Sequence, residues 1–117
     1  MKVFVASVIA SAGIMNASSA TAIDMPALAK KDTCTACHAI EKQIVGPSWM
    51  DVSKRYKGAT EYMYKGKSYP LEDGLVMKVS KGGSGNWGQI PMPINDPSGA
   101  KLAEYKELVQ FILSLAK

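Results

Sequence analysis

Apolar residues recur at helical spacing through the second half of this chain, most clearly near its C-terminus. They are three or four positions apart, which places them on one face of a helix: Leu102, Tyr105, Val109, Ile112 and Ala116. This pattern predicts a helix over about residues 99–116.

Two helices are predicted from capping signals in the first half of the chain. The first begins near Pro26, a residue favoured in a first helical turn, and Asp24 is its predicted cap. The second covers about residues 48–56, because Ser48 followed by Asp51 resembles a capping box.

A further helix is predicted over residues 72–81, in EDGLVMKVSK. It ends at Gly82-Gly83, since glycine tolerates the left-handed conformation that terminates helices. We find no alternation of apolar and polar residues typical of a strand, and no internal repeat. The fold class predicted from these patterns is all-α.

The N-terminal segment has the organisation of a secretory signal peptide. One lysine precedes an apolar run over residues 3–15, and the segment ends in Ala20-Thr21-Ala22, which has the A-x-A form of a cleavage site. The run is too short to span a bilayer comfortably, although an uncleaved membrane anchor is the alternative. We therefore expect residues 1–22 to be removed, leaving residues 23–117 as one small exported domain without a membrane span.

Size and charge narrow the classes of ligand and partner. The whole chain has 14 basic and 10 acidic side chains, a net charge of +4, and its basic residues are spread without a polybasic run. This balance is too small to indicate nucleic-acid binding and fits contact with acidic protein surfaces. A domain this small has a marginal core, so a bound cofactor would stabilise it.

Both cysteines and the single histidine lie within five consecutive positions, Cys34-Thr-Ala-Cys37-His38. Two thiols at this spacing can form a disulfide, act as a redox dithiol, begin a zinc site or bond to the vinyl groups of haem. A redox dithiol is typical of a βαβ context, and a structural zinc site needs four ligands; neither is available here. The adjacent histidine favours one haem c attached through Cys34 and Cys37 with His38 on the iron, and a plain disulfide is the alternative.

No second histidine is present, so methionine, another side chain or an empty position completes the iron coordination. Met63 and Met77 lie in stretches predicted to be helical or amphipathic, where methionine usually fills the core. Met25 and Met50 are close in sequence to the attachment motif. Met92 instead lies between two prolines in a glycine-rich loop that can wrap closely around a flat ligand. Met92 is therefore the predicted second ligand, in the His/Met pattern of cytochromes c.

Three segments together carry a family resemblance: CTACHAIEKQIVGPSWMDVSKRY, the later KGGSGNWGQIPMPIND, and the amphipathic C-terminal helix. They resemble the short, periplasmic, mono-haem class I cytochromes c of bacteria. The resemblance implies a small all-α cytochrome c fold, with helices and a long Gly/Pro-rich loop around one haem. It also implies that the first and last helices cross, with Leu28 and Phe111 as contacts.

The resemblance assigns roles to four further residues. The carbonyl of Pro47 would accept a hydrogen bond from the non-ligating nitrogen of His38, and Trp87 would donate its indole N–H to a haem propionate. Asn95 would hydrogen-bond near the Met92 sulfur, and Lys78 would lie beside a propionate.

The expected function is one-electron transfer between periplasmic respiratory partners, because His38 and Met92 leave no open iron position for a substrate. No catalytic residue is expected. The partners are a redox protein donor and acceptor that dock transiently by electrostatic attraction to lysines around the haem edge: Lys30, Lys31, Lys42, Lys78 and Lys81. The protein is expected to be a monomer.

One segment departs from the resemblance, and two other classes of protein remain open. Residues 58–82 form a longer segment than in the shortest family members, and its tyrosines, Tyr62, Tyr64 and Tyr69, are predicted to pack on the haem edge or to serve a partner. The alternatives are a haem protein with an open sixth position that binds ligands or peroxide, and a haem-free thiol or disulfide protein.

Overall fold

The computed structural model describes Gly13 and residues 22–117, so the rest of the predicted signal peptide lies outside the described residues. The elements there are α1 (Ala27–Lys31), a 3-10 turn (Cys34–Ala36), α2 (Trp49–Tyr56), β1 (Glu61–Tyr64), β2 (Lys67–Pro70), α3 (Leu71–Lys81) and α4 (Leu102–Ser114). Across this part of the chain, no helix is both long and apolar enough to cross a membrane.

The predicted ends of α2 and α3 are confirmed. The Ser48 hydroxyl accepts a hydrogen bond from the backbone N–H of Asp51 at 3.1 Å, which caps α2. Helix α3 ends at Gly82, whose φ is +68°. The expected Asp24 cap of α1 is wrong, because Pro26 occupies the cap position and no side chain caps that helix.

Helix α4 begins three residues later than its apolar pattern predicts. The buried carboxylate of Asp96 accepts hydrogen bonds from the backbone N–H groups of Ala100 and Lys101, at 3.1 and 2.8 Å. These bonds, together with the positive φ of Gly99 (+77°), hold the preceding residues in a turn. The regular helix therefore starts at Leu102.

The expectation of a chain without strands is wrong over residues 61–70, which form an antiparallel hairpin with Tyr62 opposite Tyr69. Lys65 and Gly66 both have positive φ, +48° and +76°, as two-residue hairpin turns require. Residues of β1 alternate between exposed and buried, but a strand of four residues is too short for this alternation to be recognised in the sequence. The other regular elements of the described chain are helices, as the family resemblance implied.

Two hydrophobic clusters form the core, and α4 contributes to both. The first cluster joins α1, α2 and α4, and it consists of Ala29, Ile40, Trp49, Tyr105, Leu108, Ile112 and Leu115. The second cluster joins the hairpin, α3 and α4, and it consists of Tyr62, Tyr64, Leu75 and Val109. Leu28 and Phe111, the predicted contacts between the first and last helices, both pack against the first cluster.

Candidate functional site

The attachment motif lies on a tight turn directly after α1. Thr33 has a left-handed backbone, with φ of +60°, and the His38 N–H donates to the Cys34 carbonyl at 2.9 Å. Burial raises the pKa of the Cys34 thiol, and the nearby Asp32 carboxylate raises it further. A raised pKa disfavours the thiolate that a redox dithiol uses as its nucleophile. Cys34 is therefore unlike the reactive cysteine of a disulfide oxidoreductase.

The imidazole of His38 is held in one orientation by the following loop. Its Nδ1 donates to the carbonyl oxygen of Pro47 at 2.8 Å, the contact that the family resemblance implied. A Cβ atom at Gly46 would lie 2.5 Å from Cε1 of the ring, so the backbone of Gly46 packs directly against it. With Nδ1 engaged, Nε2 is the nitrogen available to a metal.

Met92 lies in the loop that follows α3, and this loop is closed by a backbone bridge. The N–H of Met92 donates to the carbonyl of Gly83 at 2.9 Å, and the N–H of Gly83 donates to the carbonyl of Met92 at 2.9 Å. Pro91 and Pro93 stiffen the backbone on both sides of the methionine. The bridge sets where the half-buried thioether of Met92 is presented.

The other four methionines of residues 23–117 lie elsewhere in the fold. Met63 is on β1 with 58% of its surface exposed, so its expected role as core filler is wrong. Met77 is half-buried against the second cluster, which agrees with a packing role. Met25 and Met50 pack against the first cluster. Of the five methionines, only Met92 lines the cavity that Cys34, Cys37 and His38 also line.

One open cavity brings the predicted ligands together. Cys34, Cys37, His38 and Met92 all line it, and its empty space is about 1400 Å³ when counted out to the mouth. Its other walls are largely apolar and come from α2, α3, α4 and the long loop, for example Val52, Leu75, Trp87, Leu108 and Ile112. Two thiols, an imidazole and a thioether around an apolar slot are the donor set that a covalently attached haem needs, so these residues fit haem c.

Trp87 and Lys78, the two predicted propionate partners, also line the cavity. The Arg55 guanidinium lies over the Trp87 ring, 4.4 Å from its centroid. The Lys78 ammonium donates to the Gly83 carbonyl at 2.7 Å, and burial followed by the charge of Lys65 lowers the pKa of Lys78. A half-buried amine repelled by a second cation would gain from a nearby carboxylate.

Asn95 is not among the residues that line the cavity. Its side-chain amide donates to the Val79 carbonyl at 2.9 Å. An amide has two N–H donors, so one hydrogen remains for the Met92 sulfur. The role of Asn95 beside that sulfur stays a prediction.

Sequence reasoning singled out one further residue of this site and missed another. Tyr62, predicted to pack on the haem edge or to serve a partner, is 2% exposed and lines the cavity from the hairpin that the sequence did not predict. Burial raises the pKa of Tyr62, with the neighbouring Tyr56 adding to the effect, so the phenol stays neutral. Arg55 reaches Trp87 across 32 positions of sequence, and no local pattern indicates that contact.

Comparisons with known proteins agree on one family. A sequence model described as Cytochrome c matches residues 26–116. The chain is 44% identical over 88 residues to cytochrome c-551 of Allochromatium vinosum, covering 75% of this chain and 82% of that protein. It is 42% identical over 88 residues to cytochrome c-552 of Hydrogenobacter thermophilus, covering 75% and 78%. The crystal structure of wild-type Nitrosomonas europaea cytochrome c552 superposes with a TM-score of 0.62 at 38% identity, covering 75% of this chain and 95% of that one.

Proposed function

This chain belongs to the cytochrome c family, and on that premise we propose that it carries single electrons between redox proteins of the periplasm through an iron held by His38 and Met92. Family membership confirms two predictions: the chain binds one haem c at its Cys34-x-x-Cys37-His38 motif, and it is an electron-transfer protein rather than an enzyme. The axial ligands, the compartment and the partners are the proposed part.

The single observation that carries the ligand assignment is that His38 and Met92 line one cavity with both attachment cysteines. Pro47 holds the imidazole so that Nε2 is free, and the bridge to Gly83 holds the loop of Met92. When bound, the haem iron exchanges single electrons between its ferric and ferrous states. With His38 and Met92 both holding the iron, no position would remain open to a substrate and structural change would be small, and the Met92 thioether would favour the ferrous state.

Two polar side chains that line the cavity suit the carboxylates of the haem. Lys78 contributes a half-buried ammonium, and Trp87 contributes an indole N–H that Arg55 keeps in place by stacking. We assign the haem propionates to these two side chains. Asn95 would add an amide N–H near the Met92 sulfur, from the position that its bond to Val79 sets.

The compartment and the partners follow from the sequence and the distribution of charge. The predicted signal peptide directs the chain to the periplasm, where it acts as a monomer. Four of the five predicted docking lysines are exposed: Lys30, Lys31, Lys42 and Lys81. Of these four, Lys31 is paired with Glu104 at 2.6 Å, and the fifth lysine, Lys78, is half-buried. The docking face for an acidic redox partner is therefore smaller than the sequence suggested.

A redox titration of protein from an exporting, haem-attaching host tests the proposal. We expect a mass equal to residues 23–117 plus one haem, a single one-electron transition, and a ferrous form that does not bind carbon monoxide. The bare mass of the chain would contradict covalent haem. Ready binding of carbon monoxide to the ferrous protein would instead indicate an open sixth position and a ligand-binding protein.

A further inference from the structure

The β1–β2 hairpin lies in the segment that departs from the family resemblance, and the proposed function gives it no role. Two of its tyrosines, Tyr62 and Tyr64, are 2% and 5% exposed, so neither forms part of a partner-docking surface. These inward-facing side chains instead contact other parts of the protein.

The buried hydroxyl of Tyr64 donates a hydrogen bond to the carbonyl oxygen of Gly82 at 2.8 Å. Gly82 is the residue at which α3 ends and the Met92 loop begins. Its α-carbon packs directly on the far end of that loop, since a Cβ there would lie 2.3 Å from the Met92 oxygen and 2.6 Å from the Pro93 oxygen. The next residue, Gly83, forms the backbone bridge to Met92. One side chain of the hairpin thus fixes the base from which Met92 is presented.

A second contact joins the hairpin to the tip of the same loop. The side-chain amide of Asn86 donates to the Met63 carbonyl of β1 at 3.1 Å. The Asn86 carbonyl in turn accepts a hydrogen bond from the Arg55 guanidinium of α2. The loop is therefore held by β1 at its base and again near its tip.

We propose that the β1–β2 hairpin braces the Met92 loop, with Tyr64 as a positioning residue that keeps the Met92 thioether available to the iron. The inference rests on the proposed function, in which Met92 is the sixth ligand. A glycine-rich loop loses much conformational entropy when it is ordered. Contacts that order the loop in advance reduce the entropy that is lost when the sulfur binds, and so strengthen the bond against competing ligands.

Competition by imidazole for the ferric iron tests this inference. Without the Tyr64 hydroxyl the buried Gly82 carbonyl loses its partner, which favours an open loop. We expect Tyr64→Phe to bind imidazole about tenfold more tightly than the parent protein, equivalent to about 1.4 kcal/mol. Asn86→Ala, at a less buried position, should give a smaller increase of about threefold, and it provides an independent test if Tyr64→Phe folds poorly.

Two control variants separate a local brace from general destabilisation. Tyr69→Phe removes a hydroxyl of the same hairpin that makes no hydrogen bond within the described part of the chain. Ser53→Ala removes a buried hydroxyl that donates to Leu113 and accepts from the N–H of Ala116, joining α2 to the end of α4. Ser53→Ala should lower the melting temperature, yet both controls should bind imidazole with the affinity of the parent protein.

Hydrogen exchange supplies a readout that does not involve the iron. Relative to the parent protein, Tyr64→Phe should speed the exchange of the Gly83 and Met92 amide protons. Ser53→Ala should speed it less. Equal imidazole affinities in Tyr64→Phe, Asn86→Ala and the parent would overturn the brace. So would an increase of the same size in Ser53→Ala.

Met92→Ala distinguishes failure of the brace from failure of the ligand assignment. If Met92→Ala binds imidazole much more tightly than the parent while Tyr64→Phe and Asn86→Ala do not, Met92 is the ligand and only the brace is wrong. If Met92→Ala matches the parent, the sixth ligand is a different residue, and both the ligand assignment and the brace fail.

Discussion

The backbone of Gly82 lies against the carbonyl of Met92 so closely that a Cβ atom at position 82 would be 2.3 Å from the Met92 oxygen. Gly82 also has a φ of +68°, which side-chain-bearing residues rarely adopt. The end of α3 and the loop that presents Met92 are thus joined backbone to backbone, without room for a side chain between them.

Replacing Gly82 by alanine should therefore separate the loop from the end of α3. The methyl group would meet backbone atoms that cannot rotate away, and the positive φ adds strain, so we expect a loss of about 2 kcal/mol or more in the free energy of unfolding. Denaturant unfolding measures it. Gly58→Ala is the matched control, because the φ of Gly58 is also positive (+77°) but a Cβ atom there would meet open space. If Gly58→Ala loses as much free energy of unfolding as Gly82→Ala, the loss comes from the positive φ alone and not from the contact with the loop.

The Met92→Ala variant should keep its haem, held by the two cysteines and His38, and open the sixth iron position. The ferrous variant should bind carbon monoxide, and its midpoint potential should fall because a ligand favouring ferrous iron is lost. Optical spectra and a redox titration measure both changes. Met63→Ala is the control: this side chain is largely exposed, so we expect an unchanged spectrum and a stability within about 0.5 kcal/mol of the parent.

Gly74 lies within α3 because the Tyr62 ring fills the space beside it. A Cβ at position 74 would be 2.8 Å from both Cβ and Cδ1 of Tyr62. Although alanine has the higher helix propensity by about 1 kcal/mol, this overlap should dominate and destabilise Gly74→Ala by about 1 to 2 kcal/mol net. Thermal unfolding measures the effect, with the exposed neighbour substitution Asp73→Ala as control. A Gly74→Ala protein that is more stable than the parent would show that the hairpin moves away from α3 at little cost in free energy.

Asp32 should make stability depend on pH. Burial and then the neighbouring Glu104 carboxyl raise the pKa of Asp32, and the Lys101 ammonium at 3.5 Å opposes them only in part. The folded protein therefore binds the Asp32 proton more tightly than the unfolded chain does. Stability from this group is greatest below its unfolded pKa, near 3.8, and is lost as pH rises through the folded value.

The variant Asp32→Asn should consequently be more stable than the parent at pH 7, and this advantage should shrink as pH falls toward 4. Urea unfolding across this range measures the difference. The exposed Asp24→Asn variant should show no such trend. A destabilised Asp32→Asn protein at pH 7 would mean that the attraction of Lys101 outweighs the cost of burial.

Electron transfer to an acidic redox partner should slow severalfold as salt is added, because charge steering is screened over about 10 Å at 0.1 M. Stopped-flow kinetics at several ionic strengths measures this. Lys42→Gln, next to the cavity-lining Gln43, should lower both the rate and its salt dependence. Lys106→Gln on α4 should change neither. A rate that stays constant with salt would contradict electrostatic docking.

Sequence alone determined the features that depend on neighbouring residues. The Cys34-to-His38 spacing indicates haem attachment because the reacting groups lie on one turn. The Ser48 cap of α2 and the glycine end of α3 were predicted for the same reason, since each bond joins residues a few positions apart. The prediction of Met92 as the second iron ligand likewise rests on the prolines and glycines around it, which restrict or permit backbone conformations locally.

Only the tertiary structure decided the features that depend on distant residues. The hairpin has strands of four residues, too short for periodicity to identify, and its inward-facing tyrosines pack on α3 and α4. The start of α4 moved because the Asp96 carboxylate binds the N–H groups of Ala100 and Lys101 in a turn that the apolar pattern does not record.

The Tyr64 bond to Gly82 and the Arg55 contact with Trp87 span 18 and 32 positions of sequence. Such contacts form only after separate elements pack together, because packing brings the groups within reach and buries them away from competing water. The motif thus specified which group this chain binds, whereas long-range packing decided how its methionine loop is held.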